Sequence, residues 1–267
     1  MSVQVIDGHC HADLLLERDA RFPGEYRKRG CGGISWSYPE GIRSWRDYPS
    51  YWGRLRDMAV RLGDHGCPFF YLVGIHPRCI PDDLTTEEGL PPDLVQAVEE
   101  HLQEPLCLGF GEIGLDTASD LEGWILRRQL DLAMRSLPET KGVGIHTPRA
   151  DKDRVTRDIL VLLGEYGGLK ERMLIDHVTP ETYPAVRAEG YHTVGMTLQP
   201  GKTSVEDLVE FIREQPDRAE SIVLGSDGAR EISDWFFHFL DHRETLGEEE
   251  RRRLLLENAQ EFWGIEG

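Results

Sequence analysis

Short apolar runs alternate along this chain with longer amphipathic stretches. The runs at 3–11, 31–36, 69–75, 106–112, 142–146, 172–177, 191–196 and 221–227 are β-branched, aliphatic or glycine-containing and predict eight strands. Between them, 51–62, 90–102, 120–136, 152–165, 204–214 and 248–263 carry apolar residues at three- and four-residue spacing and predict helices. Ser204, with Asp207 three positions on, reads as an N-cap. The helical pattern is weaker at 180–188, and Pro23 with Gly24 interrupts it in the first crossover, 12–30. The alternation is the βα signature of a parallel sheet, and each step between strands is long enough for a crossover. Eight such units predict a single (β/α)8 TIM barrel, one domain over 1–267, close to the roughly 250 residues usual for that fold.

In such a barrel, chemistry gathers where the strands end at their C-terminal side. The first strand, V-Q-V-I-D-G-H-C-H, ends with His9 and His11 at i and i+2, so both imidazoles leave one face and could share a metal ion. Cys10 between them points the other way. Glu112 ends the fourth strand, His146 the fifth, His177 the sixth and Asp227 the eighth. Taken singly, each has a plain reading as a cap, a loop residue or a hydrogen-bonded pair. Taken together, four imidazoles and two carboxylates around one mouth are costly to bury without a compensating charge, which a divalent cation supplies. His76 follows the third strand directly, in G-I-H-P-R, and is expected at the same mouth as a substrate or supporting group. His65, His101, His238 and His242 read as surface residues. His192 opens the seventh strand at the far end and reads as structural.

Charge narrows the partners. The formal net charge is −18 over 267 residues, which disfavours nonspecific contact with nucleic acid or an anionic membrane. No Lys/Arg-rich stripe lies beside aromatics, so extended nucleic-acid binding is not expected. No apolar stretch approaches the ~20 residues that cross a bilayer, and the N-terminal run lacks the basic and apolar regions of a signal peptide. Five scattered cysteines without a C-x-x-C read as free thiols in a reducing cytosol, hence a cytoplasmic protein. Against this acidic background, Arg78, Arg149, Lys152, Lys202 and Arg230 fall just after strand ends and predict a local anion site for a phosphate or carboxylate. Trp36 and Tyr38, after the second strand, are further candidate substrate groups. The run G-E-E-E-R-R-R-L-L-L-E-N predicts a solvated outer helix with Glu248–Arg252 and Glu249–Arg253 pairs.

The segments D-G-H-C-H-A-D, V-G-I-H-P-R, G-F-G-E-I-G-L-D, G-I-H-T-P-R and G-S-D, with the closing E-N-A-Q-E-F-W-G, occur in the order found in the TatD family of the amidohydrolase superfamily. The chain resembles that family from Asp7 to its end, and G-E-I-G-L-D is the most specific of these segments. The resemblance implies a (β/α)8 barrel, one to three divalent metals and hydrolysis, often of phosphoesters in DNA. By position it implies His9, His11, Glu112, His146, His177 and Asp227 as ligands. Two segments depart from it. D-H-V-T-P-E-T replaces an H-C-F-S-G-like segment after the sixth strand, and G-S-D-G-A-R replaces E-T-D with its following proline at the eighth. Both line the expected mouth, so the substrate does not carry over with the metal framework.

The expected chemistry is metal-assisted hydrolysis with one or two divalent ions (Zn, Mn, Ni or Fe). His9, His11, Asp227 and one oxygen of Glu112 would hold the first. The other Glu112 oxygen, His146 and His177 would hold the second. Asp227 would take the proton of the attacking water and pass it to the leaving group. His76, Arg78, Arg149 and Lys202 would meet a small anionic substrate. Three functions compete: hydrolysis of a phosphoester in a small compound or nucleic-acid end, hydrolysis of a C–N or lactone bond, and a non-catalytic metal- or ligand-binding subunit.

Overall fold

The computed structural model describes residues 3–84, 89–242 and 245–266. Its strands are β1 (Val5–Cys10), β2 (Cys31–Ser35), β3 (Phe69–Val73), β4 (Cys107–Gly114), β5 (Gly142–His146), β6 (Met173–Ile175), β7 (Val194–Thr197) and β8 (Ile222–Gly225). They form one sheet in chain order, each pair parallel. The sheet curls into a nearly closed barrel. Beyond the strand ends, Asp227 N–H donates to the His9 carbonyl at 2.7 Å, and His11 N–H to that of Gly228 at 2.8 Å. Buried Asp7 locks the same join, accepting from Ser226 N–H (2.8 Å), Ser226 Oγ (2.6 Å) and Tyr26 Oη (2.6 Å).

The crossovers carry α1 (Ala12–Arg18), α2 (Phe22–Lys28), α3 (Tyr48–Asp64), α4 (Pro92–His101), α5 (Asp120–Ser136), α6 (Lys152–Leu163), α7 (Tyr183–Ala188), α8 (Val205–Glu214) and α9 (Asp234–Asp241). The chain closes with α10 (Glu248–Arg252) and α11 (Asn258–Trp263). The first crossover is more helical than its pattern suggested. Pro23 sits in the first turn of α2, where its missing N–H leaves no hydrogen bond unmade. The expected helix at 248–263 is divided by a π-helical turn at Arg253–Glu257, and Arg252 turns to Glu249 at 2.7 Å. Ser204 caps α8 as expected, accepting from Asp207 N–H at 3.0 Å.

Inside the barrel, Ile6, Ile34, Leu72, Leu174 and Val223 pack with Trp36, and Trp263 of α11 meets Trp36 edge-on. A Cβ at Gly144 would collide with the Trp36 ring, so that glycine makes room for the indole. Trp36 is therefore a fully buried floor beneath the mouth and not the substrate group expected from its place after the second strand. The larger apolar layer lies between barrel and helices, and Cys10 belongs to it. His101, expected at the surface, is buried there and pairs through Nδ1 with Tyr71 Oη at 2.8 Å. His192 is exposed just before β7. No helix among the described residues is long and apolar enough to cross a membrane.

Candidate metal centre and active site

Glu112, buried in the middle of β4, is the hub of the mouth. Its Oε2 lies 3.2 Å from His9 Nε2 and 3.8 Å from His11 Nε2. Its Oε1 lies 2.5 Å from His146 Nδ1, 3.1 Å from His177 Nε2 and 3.6 Å from His76 Nε2. Asp227 Oδ1 stands 3.2 Å from His11 Nε2 and 3.7 Å from His9 Nε2. The six residues expected at the strand ends thus converge from five strands or their ends, and His76 joins them. A shift in the β1–β2 register between Asp7 and Cys10 accompanies the turn of His9 and His11 into the mouth. His177 and Asp227 lie past their strands with left-handed backbone, φ 57° and 49°.

The hydrogen-bond partners decide which ring nitrogens keep a lone pair. The Trp36 carbonyl, 3.0 Å from His11 Nδ1, can only accept, so Nδ1 carries the proton and Nε2 is free. The Asp176 carboxylate does the same for His9 Nδ1. His9 Nε2, buried, then has no hydrogen-bond partner. Asp176 also faces His177 Nδ1 at 3.1 Å, and Thr197 Oγ1 lies 2.8 Å from the same nitrogen. Asp116 lies 3.5 Å from His146 Nε2, leaving Nδ1 toward Glu112. Carboxylates and carbonyls holding the outer nitrogen of an imidazole are the usual support of a metal-binding histidine. His76 is the exception. Its Nδ1 accepts the Arg78 N–H at 2.9 Å, so a neutral ring must carry its proton on Nε2 and donate.

Electrostatics agree with a cation at the hub. Burial alone would push His9 down, but the Glu112 and Asp176 carboxylates overcome it and hold His9 up at about 10. The field that retains that proton would also attract a metal ion. Burial brings His76 to about 4 and His177 to about 3. Against the upward push of burial, the histidines hold Glu112 well below the usual carboxylate range, and Lys202 with His11 does so for Asp227. Three sets of potential ligand atoms lie within 4.8 Å of one another: His9, His11 and Glu112; His76, Glu112 and His146; His9, Asp176 and His177. An unpartnered imidazole nitrogen among imidazole and carboxylate donors fits a borderline divalent ion.

The centre opens into a cavity of about 490 Å³ lined by the ligand candidates other than His9, by Tyr38 and Gln199, by the cations Arg78, Arg149, Lys202 and Arg230, and by Glu40 and Glu231. Arg78 is tied to Asp116 at 2.7 Å. Arg149 reaches Gln199 and stands 3.5 Å from Asp227 Oδ2 while its side chain is 48% exposed. Lys152 is set back behind the mouth, donating to Thr147 Oγ1 and the Pro148 carbonyl, both at 2.9 Å. Asp176 and Asp116 were not singled out in the sequence. For Asp176 the only available signal was its place beside His177 at the end of an apolar run.

No family model matches the chain. An uncharacterized metal-dependent hydrolase of Methanocaldococcus jannaschii is 28% identical over 231 residues, 84% of this chain and 83% of that protein. Among solved structures, the TatD-like protein of Archaeoglobus fulgidus superposes with a TM-score of 0.73 at 26% identity, covering 97% of this chain and all of that one. A triple mutant of an organophosphorus hydrolase from Deinococcus radiodurans shares the fold alone, with a TM-score of 0.61 at 12% identity over 99% and 95% of the two chains. With the buried donor cluster at the mouth of the barrel, these likenesses make the chain a metal-dependent hydrolase that is similar to TatD-like proteins.

Proposed function

We propose that this hydrolase cleaves ester bonds, phosphoesters foremost, in a small anionic substrate or nucleic-acid end. The observation that carries this reading is a buried donor cluster opening into a cavity lined by Arg149, Lys202 and Arg230 in a protein of net charge −18. His9, His11, Glu112 and Asp227 would hold one divalent ion, and Glu112, His146 and His177 a second. Such an ion supplies Lewis-acid activation of water and of the scissile group.

The chain's own residues do the rest. Asp227, kept ionised by Lys202 at 2.5 Å, accepts the proton of the attacking water and returns it to the leaving oxygen. His76 presents its Nε2–H to an oxygen of the substrate. Arg78 orients Asp116 and through it His146. Arg149, half exposed, is free to turn onto a phosphate or carboxylate as a planar fork. A cavity of about 490 Å³ suits a drug-sized molecule rather than a polymer, and binding a polynucleotide needs a track of several phosphate contacts.

The test is a panel with Mn or Zn supplied: a phosphomonoester, a phosphodiester and a short dinucleotide against lactones, amides and plasmid DNA. Turnover should concentrate on the small phosphoesters. Processive digestion of DNA without small-substrate turnover would refute the size assignment, and turnover of lactones or amides alone would move the chain to C–N or lactone hydrolysis.

A further inference from the structure

We infer that Lys202 is a resident cation standing in for the second metal ion: the centre binds one divalent ion tightly and a second only when the Lys202 side chain withdraws. This rests on the ligand assignment proposed above. Lys202 Nζ lies 2.5 Å from Asp227 Oδ2 and 2.9 and 3.1 Å from the two ring nitrogens of His177. The side chain is only 6% exposed, so the ammonium is within the centre and not on its rim. Being nearly equidistant from the two ring nitrogens, the ammonium lies against the His177 ring, while the Nε2 lone pair points toward Glu112 Oε1. A second metal ion on that lone pair would stand within a few ångströms of the ammonium.

Charge balance points the same way. Glu112, Asp176 and Asp227 bring three negative charges to the centre, and Lys202 brings one positive charge. The two negative charges left over are those that one divalent ion neutralises. Asp116 stands outside this count because Arg78 pairs with it at 2.7 Å, and Arg149, 3.5 Å from Asp227 Oδ2, because its side chain is 48% exposed and screened by water. A second ion beside the buried ammonium would meet like charge at a few ångströms, where water screens poorly. The backbone of the loop is fixed: Lys202 N–H donates to the Gln199 carbonyl at 3.0 Å and Thr203 N–H to that of Thr197 at 3.1 Å. Withdrawal is therefore a side-chain motion, and it carries the ammonium toward the cavity shared with Arg149 and Arg230. There it becomes a contact for the anionic substrate, so filling of the second metal place and capture of substrate are linked.

The experiment titrates chelator-treated wild-type protein, Lys202→Met and Lys202→Arg with Mn(II), counting bound ions by mass spectrometry after gel filtration and recording the electron paramagnetic resonance spectrum. Wild type should retain one ion with the spectrum of an isolated Mn(II). Lys202→Met should retain two, with a spin-coupled spectrum and a second-ion affinity raised at least roughly tenfold. Lys202→Arg keeps the positive charge and should stay at one. Two equally tight ions in wild type, or a folded Lys202→Met that stays at one, overturn the inference and leave the hydrolase reading standing. Should Lys202→Met fail to fold, the wild-type spectrum decides, a coupled pair at low loading being the contrary result. A wild type that takes no Mn(II) refutes both this inference and the ligand assignment.

Discussion

His177 and Asp227 adopt left-handed backbone, a conformation that costs a side-chain-bearing residue of the order of 1–3 kcal/mol and persists where its surroundings over-determine it. Here it lets neighbouring residues both serve the centre. Asp176 and His177 would face opposite ways along a regular strand, yet both turn inward past the end of β6. That is why Asp176 is not legible in the sequence: alternation along a strand would send its side chain to the face opposite that of His177. Gly195 makes space for it, since a Cβ there would strike the Asp176 carboxylate. Because one carboxylate orients His9 and His177 together, Asp176→Asn should weaken metal binding roughly 10–100-fold without unfolding the barrel. Calorimetric titration with Zn(II) measures it, and an unchanged affinity would show that Asp176 does not orient these rings.

The elements were more legible than their ends. Strands and long helices follow from periodicity alone, and all eight strands lie where apolar runs predicted them. The corners were harder to read because side chains hold them. Asp19, just past α1, accepts from Arg21 Nε (2.9 Å) and Nη2 (2.8 Å) and from Ile232 N–H (3.1 Å), joining α1 and α2 to the chain after β8. The Arg21 hydrogen bonds, against burial, lower its carboxyl to about 2. Its ordinary value is about 3.9. A folded-state value below the unfolded one means stability that is fully present above about pH 4 and lost as pH falls toward about 2. Asp19→Asn removes this contribution to the pH dependence, so its melting temperature should fall less steeply than wild type between those pH values. Parallel curves for the two proteins would show that Asp19 carries no such linkage.

Across the whole molecule, the features that could be read from the sequence were those set by order along the chain: the barrel and the polar strand ends. What could not be read were features set by closure in three dimensions. Trp36 falls beneath the mouth because the barrel packs it against Trp263 and makes room for it at Gly144. His101 is buried because a crossover helix brings it to Tyr71. Lys202 enters the centre because the turn after β7 points it there. The proposed preference for a small anion rests on Arg149, Lys202 and Arg230 at the mouth of an otherwise acidic protein. Hydrolysis is expected to depend on the metal held at this mouth. The most direct test follows metal content and small-phosphoester turnover in the same samples through chelation and reloading with Mn or Zn. Turnover should fall with the metal and return with it, while reloaded Asp227→Asn should stay slower by roughly 10²–10⁴-fold. Undiminished turnover by metal-free protein, or wild-type turnover by Asp227→Asn, would contradict metal-dependent hydrolysis at this mouth.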